Sequence, residues 1–418
     1  MTPSGDGRAT RERGSTAPDE RGILVFAPRA PEFDRSSGDL RFHHMLTMLA
    51  QRHPVELVPT DAGTSATRAY ETALEDLGIG INRTFRIREL RHRPPHVAMF
   101  EFYQPAEAYL DAVRFLQPGW PAIVDSVDLH YLREARMATY ESGRTTPKAL
   151  QERRARELRV YANADLVLTV TEDDRQQLRR DLPGAEVAVV PNIHRPRAVL
   201  PALAERRRGS LLFVGWFVHP PNADAVLWFV REVLPQLRRV VPDVEVVIVG
   251  DSPPPEIRKL EESRGVRVTG YVPDTTPYLD AAWVSIAPLR YGAGMKGKVG
   301  EAMAAGLPVV TTSIGAEGME LKDGVTALVA DTPEAFADAV RRLCTDDALH
   351  QGISARALAH VRERYDLPVV AARLEAAVKR ATTLQPRRMG PAARVAFLAR
   401  AARQRLAPLH SGTKRGKP

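Results

Sequence analysis

Short apolar runs alternate with segments of helical periodicity along most of the chain. In the first half, the apolar run Ile23–Ala27 precedes a helical pattern at about 39–51 and a second apolar run, Val55–Val58. A strand, a helix and a strand in this order predict a βαβ unit and hence a parallel sheet. Further strands are predicted at 97–100, 122–124, 166–170 and 187–190, with a helix at 153–162.

The second half repeats the alternation. Its strands are predicted at 211–214, 244–249, 266–269, 284–287 and 309–312, and its helices at 223–240, 256–264, 277–282, 298–305, 334–343 and 349–364. These strands are short, continuously apolar and bounded by glycines, as is typical of strands covered by helices on both faces. We therefore predict an α/β fold of two doubly wound, Rossmann-like domains that face each other across a cleft, with ligands at the carboxyl ends of the strands.

Composition predicts where the domains begin and end. Residues 1–21 are polar and lack the apolar core of a signal peptide, so we expect a disordered N-terminus. The stretch 195–209 holds two prolines and a cluster of charges and separates the domains. The expected units are a first domain at 22–200, a second domain at 209–365, a helix at 366–385 that returns toward the first domain, and a basic tail at 386–418.

The net charge of +8 is concentrated in the tail. Residues 386–418 contain nine basic side chains and no acidic ones, so the remainder carries a formal charge near −1. This distribution argues against nucleic acid as a partner. The single cysteine, Cys344, rules out an internal disulfide and fits a reducing, cytoplasmic location. No apolar stretch reaches the length of roughly 18 residues that a membrane span needs.

The segment 288–306 runs from a predicted strand through a glycine-rich loop into a predicted helix. Its glycines, Gly294 among them, let the backbone turn tightly and approach a ligand closely. Unpaired N–H groups and the dipole at the start of a helix attract anions. Arg290, Lys296 and Lys298 add positive charge. The combination predicts a site for a diphosphate.

Glu301 is expected in the first turn of that helix. Because a diphosphate would repel its carboxylate, a sugar hydroxyl is the expected partner, although Glu301 would also complement the helix dipole without any ligand. The same loop matches the dinucleotide pattern Gly292-x-Gly294-x-x-Gly297. That pattern normally follows the first strand of its domain, whereas this one follows about the fourth, so an NAD-dependent oxidoreductase is kept only as an alternative.

Three motifs of the second half resemble the donor domain of family 4 glycosyltransferases with the GT-B fold. They are Gly215-Trp-Phe-Val-His-Pro-Pro-Asn222, Gly270-Tyr-Val-Pro-Asp274 and the loop leading into Glu301-Ala-Met-Ala, and the resemblance extends over roughly 23–380. It implies retaining transfer of a sugar from a nucleotide sugar of the UDP or GDP type, with no obligatory metal and no cofactor. It also implies that Gly215 meets the donor diphosphate, and that Asn222, Val272 and Glu301 meet the nucleotide or sugar.

The sequence departs from the family pattern at two positions. The family's motif has two glutamates with seven residues between them, and Ala293 stands where the first is usual. Trp216 stands where an arginine usually follows the glycine, so Arg290, Lys296 or Lys298 is expected to take over its phosphate contact. Two alternatives follow, a non-catalytic protein that binds nucleotide sugars and a nucleotide-sugar epimerase, although we identify no acid/base carboxylates for the latter.

In the first half, Asp125-Ser-Val-Asp-Leu-His130 resembles the family's segment that carries a histidine near the reacting sugar. His130 is expected to bond a sugar hydroxyl or to steady charge at the anomeric carbon, with Asp128 on the same side of an extended segment. The loop containing Gly38 and Arg41 resembles the one that meets donor phosphate and acceptor. The simpler interpretation of that loop is that Asp39 caps an ordinary helix.

The sequence contains no Asp-x-Asp motif, the usual sign of a metal-dependent transferase, so side chains are expected to supply the cations. In the tail, a helix from about 391 to 409 would align Val395, Leu398, Ala402 and Leu406 on one side, with arginines around them. Such a helix either contacts anionic lipid at the inner face of the membrane or is a solvated extension. The acceptor is unknown, and membrane contact would favour a lipid-linked or cell-envelope glycan.

Overall fold

The computed structural model describes residues 21–61, 65–94, 96–140, 147–292 and 294–406. The predicted disorder of the N-terminus therefore falls outside the described residues except at Arg21, as does the last part of the basic tail. Position 293, where the family's first glutamate is usual, also lies outside them.

The first domain is a seven-stranded parallel sheet with the strand order β3-β2-β1-β4-β5-β6-β7. Its strands are β1 Gly22–Ala27, β2 Val55–Pro59, β3 Gly80–Ile81, β4 His96–Glu101, β5 Ala122–Asp125, β6 Leu166–Thr169 and β7 Val187–Val189. Its helices are α1 Ser37–Ala50, α2 Ser65–Glu75, α3 Tyr103–Leu116, α4 His130–Tyr140, α5 Pro147–Asn163 and α6 Glu172–Asp181, with a 3-10 turn at Ile87–His92.

The second domain is a six-stranded parallel sheet with the order β10-β9-β8-β11-β12-β13. Its strands are β8 Ser210–Val214, β9 Glu245–Val249, β10 Val266–Gly270, β11 Val284–Ala287, β12 Val309–Thr311 and β13 Leu328–Val329. Its helices are α7 Pro220–Trp228, α8 Leu234–Arg238, α9 Pro255–Arg258, α10 Thr276–Ala281, α11 Gly297–Ala304, α12 Ser313–Ala316, α13 Pro333–Thr345 and α14 Asp347–Arg364, with 3-10 turns at Leu203–Glu205 and Lys259–Glu262.

Both sheets are buried on two faces. In β1, Ile23 and Val25 belong to the core that contains α1, whereas Leu24 and Phe26 belong to the opposite core, with α3. Successive side chains of a strand point to opposite faces, so a strand buried on both sides has no polar positions. The predicted α/β class with two doubly wound domains is confirmed.

The strand order places the ligand-binding edge of each domain. It reverses direction between β1 and β4 in the first sheet and between β8 and β11 in the second. Loops that leave neighbouring strands at such a point diverge to opposite faces and open a crevice at their carboxyl ends. The loops after β1 and β4, and those after β8 and β11, therefore border the crevice of each domain.

One predicted helix is interrupted. The pattern at 223–240 predicted a single helix, but the structure has α7, a π-helical turn at Phe229–Val233 and then α8. Pro235 lies in the first turn of α8, and proline supplies no N–H to the helical ladder, so the regular hydrogen-bond pattern cannot run through this position.

The chain ends with two helices that lie on the first domain, α15 Leu367–Thr383 and α16 Pro391–Leu406. Val370, Leu374 and Val378 of α15 are buried in the same core as β1 and α1. Because α15 follows the last helix of the second domain and packs on the first, it connects the two domains a second time. No helix within the described residues is long and apolar enough to cross a membrane.

Candidate active site

The loop between β11 and α11 is at the centre of the candidate site. Gly292 and Gly294 have φ values of 142° and 69°, backbone conformations that favour glycine. Helix α11 then begins after Lys296, which is its N-cap residue. The turn therefore depends on glycine at positions 292 and 294, and it delivers two lysines to the start of the helix.

Lys298 joins this helix to the end of β8. Its Nζ donates to Oδ1 of Asn222 at 2.8 Å and lies 5.3 Å from the centre of the Phe213 ring. The Asn222 amide in turn donates to the carbonyl of Trp216 at 2.7 Å. A β-carbon on Gly215 would lie 3.0 Å from the Asn222 side chain, so glycine allows this close approach. The structure thus brings together Gly215, Asn222 and Lys298.

Lys296 is buried, and its Nζ donates to the carbonyl of Gly294 at 2.7 Å. Burial lowers the pKa of both Lys296 and Lys298 to about 8, because the charged ammonium loses its solvating water. The positive charge of Lys296 lowers the pKa of Lys298 further. An anion placed beside two such lysines would raise their pKa again by stabilising the ammonium form, which makes this corner of the cleft a candidate anion site.

Glu301 lies in the second turn of α11, not in the first turn as the sequence suggested. Its Oε1 accepts a hydrogen bond from the Thr275 hydroxyl, and burial raises the pKa of its carboxyl. Val272 is half-buried and packs against the apolar cluster that includes Val299 and Met303 of α11. Both residues therefore lie beside the helix that carries the lysines.

Arg290 does not join the two lysines. Its guanidinium pairs with the carboxylate of Asp224 on α7 and lies 6.0 Å from the centre of the Trp228 ring. The positive charge of Arg290 is thus already balanced by a carboxylate, whereas Lys296 and Lys298 bond neutral oxygens. The structure assigns the cationic character of the loop to the lysines.

Asp128 and His130 form a closely spaced pair of side chains at the start of α4. Nδ1 of His130 lies 3.0 Å from Oδ1 of Asp128, and Arg133 donates to the other carboxylate oxygen. Burial works to lower the pKa of His130, but the Asp128 carboxylate outweighs it and the pKa is raised. Glu157 accepts the N–H groups of His130 and Tyr131 at 3.0 and 2.8 Å, which caps this end of the helix.

The two domains approach each other most closely around the glycine-rich loop. A β-carbon on Gly294 would lie 3.3 Å from that of Asp128, and one on Gly297 would lie 2.5 Å from that of Ser37. Ser37 begins α1 and Asp128 lies two residues before the start of α4, both in the first domain. The structure therefore brings the predicted histidine segment of one domain against the predicted diphosphate loop of the other.

Arg41 is a correction to the sequence-based assignment. It was expected in a loop that meets phosphate, but its side chain is fully buried and forms a two-point ion pair with Asp125, at 2.6 and 3.1 Å. Its remaining N–H groups donate to the carbonyl of Val190. Arg41 thus holds β5 and the end of β7 to α1 and is unavailable to a ligand. Gly38, in contrast, lies next to the segment 125–130 that contains His130. A β-carbon on Gly38 would lie 3.8 Å from Cγ1 of Val127.

The helix cap next to Gly38 also differs from expectation. Ser36, not Asp39, is the N-cap of α1: its hydroxyl accepts the N–H of Asp39 at 3.1 Å and donates to the Asp39 carboxylate at 2.7 Å. A serine hydroxyl suits this role because it can accept from a free N–H group while its own proton binds a nearby oxygen.

Two carboxyl groups of the site were not singled out from the sequence. Asp174, in the first turn of α6, is buried, and burial raises its pKa to about 6. Glu101, at the carboxyl end of β4, is also buried, and its pKa lies well above the usual range, first through burial and then through the nearby carboxylates of Asp125 and Asp39. Arg41, the adjacent cation, has its N–H groups engaged by Asp125 and Val190. Only the strand order reveals that Glu101, on β4, lies at the switch point next to β1.

Within the described ranges, no group of three or more His, Cys, Asp and Glu side chains is arranged to hold a metal ion. The positive charge next to the loop comes from Lys296 and Lys298.

Comparison with known proteins finds similarity to glycosyltransferases. Residues 208–346 match the family model of the glycosyl transferases group 1. The phosphatidyl-myo-inositol mannosyltransferase of Mycolicibacterium smegmatis is 34% identical over 175 residues, which cover 40% of this chain and 44% of the relative. The D-inositol 3-phosphate glycosyltransferase of a Nocardioides species is 29% identical over 171 residues, covering 36% and 37%. The chain thus spans less than half the length of these curated relatives.

Solved structures extend the similarity of fold to both domains. Sucrose-phosphate synthase from Thermosynechococcus elongatus superposes with a TM-score of 0.64 and 15% identity, over 86% of this chain and 99% of the other. HepE of Anabaena, in complex with UDP and glucose, superposes with a TM-score of 0.62 and 14% identity, over 86% and 100%. The second domain thus matches the glycosyl transferases group 1, and the likeness to these solved structures shows that the two-domain fold is shared.

Proposed function

We propose that this protein is a retaining, metal-independent glycosyltransferase that moves a sugar from a UDP- or GDP-type donor to an acceptor hydroxyl. The observation that carries the proposal is a pair of lysines, the buried Lys296 and the half-buried Lys298, where the glycine-rich loop enters α11 at the interdomain cleft. A diphosphate is the ligand that combines enough charge with enough oxygen acceptors to engage both lysines and a helix start.

The reaction would break the bond between the anomeric carbon and the oxygen of the β-phosphate. Negative charge then grows on the leaving diphosphate, and fixed positive groups aimed at that charge would lower the barrier. In a front-face reaction the acceptor oxygen bonds the same face of the sugar while its proton passes to the departing phosphate oxygen. This scheme needs no carboxylate nucleophile, and the lysines take the place of a metal ion.

The Asp128–His130 pair would act on the sugar. His130 lies beside Asp128, whose side chain faces Gly294 of the glycine-rich loop. In this position it would bond a sugar hydroxyl, and the Asp128 carboxylate would balance positive charge that develops at the anomeric carbon. Glu301, one turn beyond the lysines, is the proposed partner of a sugar or ribose hydroxyl.

The relatives suggest where to start with substrates. HepE was solved with UDP and glucose, and another relative is a phosphatidyl-myo-inositol mannosyltransferase. We propose a cytoplasmic enzyme whose acceptor is a lipid-linked or cell-envelope glycan, with UDP-glucose and GDP-mannose as the first donors to test.

Thermal shift with UDP, GDP and dTDP, each with EDTA and with Mg²⁺, tests the site directly. We expect one nucleoside diphosphate to raise the melting temperature equally in EDTA and Mg²⁺. Lys296→Ala and Lys298→Ala should each weaken its affinity about 10- to 100-fold, because a charged hydrogen bond contributes about 1.5–3 kcal/mol. Lys259→Ala, at an exposed lysine, is the matched control and should bind as the wild type does.

Nucleoside diphosphate release then separates the alternatives. A glycosyltransferase forms product with the donor's anomeric configuration when an acceptor is supplied. An epimerase alters the donor with no acceptor present, and a binding protein shows affinity without turnover. Stabilisation by NAD but not by any nucleoside diphosphate would refute the proposal in favour of an oxidoreductase.

A further inference from the structure

Helix α16 is attached to the first domain by a narrow contact. The Phe397 ring lies 5.1 Å from that of Phe115 on α3, and Arg400 pairs with Asp111 at 2.9 Å. Phe397 is the only residue of 391–400 that is not exposed. One aromatic side chain and one ion pair therefore hold the helix in place, while most of its circumference faces solvent.

The outward side of α16 carries exposed apolar residues. Val395 is 67% exposed and Leu398 is 50% exposed. With 3.6 residues per turn, positions 395, 398, 402 and 406 lie along one side of the helix, and position 397 lies on roughly the opposite side. The helix thus has one apolar contact turned toward the protein, and Val395 and Leu398 are turned away from it.

The charge around this stripe is uniformly positive. The segment 386–418 holds nine basic residues and no acidic ones, and Arg394 is exposed next to Val395. An exposed apolar stripe within a purely basic segment is the pattern of helices that lie in the interface of an anionic bilayer. A protein partner with an acidic groove would match the positive charge of the tail. A bilayer accounts for that charge and also for the outward-facing apolar side chains of Val395 and Leu398.

The direction in which α16 runs shows which of its ends lies nearer the candidate active site. Phe397 meets Phe115 and Arg400 meets Asp111, so the helix runs antiparallel to α3. Helix α3 begins at Tyr103, whose ring lies 5.5 Å from that of His130. The C-terminal end of α16 therefore points toward the end of α3 that borders the cleft.

We propose that α16 is a membrane-contact helix, which binds the surface of an anionic phospholipid bilayer by inserting Val395 and Leu398 while the surrounding basic residues bind lipid headgroups. This inference goes beyond the transferase activity and does not depend on it. A bilayer under α16 would lie next to the cleft opening, where a lipid-borne acceptor would enter.

Vesicle flotation of the full chain tests the proposal without any substrate. We expect co-flotation with vesicles of phosphatidylglycerol and phosphatidylcholine, little with phosphatidylcholine alone, and a decrease between about 0.05 and 0.5 M salt as the charges are screened. The double variant Val395→Asp/Leu398→Asp should lose at least tenfold of the bound fraction. Val199→Asp/Val240→Asp, which changes two exposed apolar residues elsewhere, is the matched control and should float as the wild type does.

Equal flotation of the wild type and the Val395/Leu398 variant would overturn the proposal, as would equal binding to neutral vesicles. Binding of a labelled DNA duplex without binding of anionic vesicles would assign the basic tail to nucleic acid instead. Both variants change exposed positions, so unchanged melting temperatures are expected and show that α16 has not simply unfolded. Because no donor or acceptor enters the assay, its failure leaves the proposed transferase activity unaffected.

Discussion

Arg136 of the first domain donates to the carboxylate of Glu317 in the second at 2.6 Å and to the carbonyl of Gly292 at 3.0 Å. Arg136 lies on α4, two turns after His130, and Gly292 begins the glycine-rich loop. The Arg136 guanidinium thus connects α4, which begins at His130, to the glycine-rich loop. The sequence gives no sign of this contact, since Arg136 and Glu317 are 181 residues apart.

We predict that this contact favours the closed arrangement of the two domains. Each side chain is about one-third exposed, so the coupling energy in a double-mutant cycle of Arg136→Ala and Glu317→Gln should be ~0.5–1 kcal/mol. Affinity for a nucleoside diphosphate should fall a few-fold in each single variant. Arg154→Ala breaks the Arg154–Asp181 pair within the first domain and serves as the control. Additive effects of the two changes would show that the pair is not coupled.

The close approach of Gly297 to Ser37 of the first domain can be tested by adding and removing side-chain atoms. Alanine there would place its β-carbon 2.5 Å from that of Ser37, so Gly297→Ala should push the loop away from α1 and reduce catalytic efficiency at least tenfold. Adding Ser37→Gly should recover most of the loss, since it removes the atom that collides. Gly119→Ala, whose new β-carbon meets nothing within 4 Å, is the neutral comparison. The measurement is the catalytic efficiency of the wild type, Gly297→Ala, the double variant and Gly119→Ala. A double variant as slow as Gly297→Ala would contradict this prediction.

The Asp128–His130 pair predicts a pH effect that NMR can follow. Asp128→Asn should lower the pKa of His130, because the carboxylate that outweighs the effect of burial is gone. A histidine with a raised pKa in the folded state adds stability at pH values below its unfolded pKa, and this stability is lost as pH rises through the folded pKa. The stability difference between wild type and variant should therefore shrink over that range. Titration of the His130 ring signals gives the result, and an unchanged pKa would disprove the pairing.

The two lysines predict opposite pH trends for stability and for binding. Their folded pKa is about 8, against 10.5 for an ordinary lysine, so between these values the unfolded chain binds more protons. The free energy of unfolding contributed by these groups should rise with pH over that window. Diphosphate affinity should fall over the same window as the ammonium groups lose their charge. Calorimetry from pH 7 to 10 on wild type and Lys296→Met would measure both, and the variant should show a smaller change in each.

The sequence by itself determined the two-domain α/β architecture of the protein and the cationic character of the glycine-rich loop. Continuous apolar runs such as Ile23–Ala27, separated by amphipathic stretches, are compatible with parallel strands between helices and with little else. The loop around Lys296 was predictable because its glycines and lysines are adjacent in the chain, and local backbone rules act over such distances. The interruption of the helix after Trp228 was missed because one proline is tolerated in the first turn of a new helix.

Only the tertiary structure decided which charges are available to a ligand. Arg41 and Arg290 look equivalent to Lys296 in the sequence, but each meets a carboxylate, Asp125 or Asp224, brought from elsewhere in the chain. Coulomb interactions depend on the distance between charges and on their burial in the folded protein. The separation of two residues along the sequence gives neither quantity, except within a helical turn or along a strand. For the same reason the contact of Gly294 with Asp128, on which the candidate site depends, exists only once the two domains are packed together.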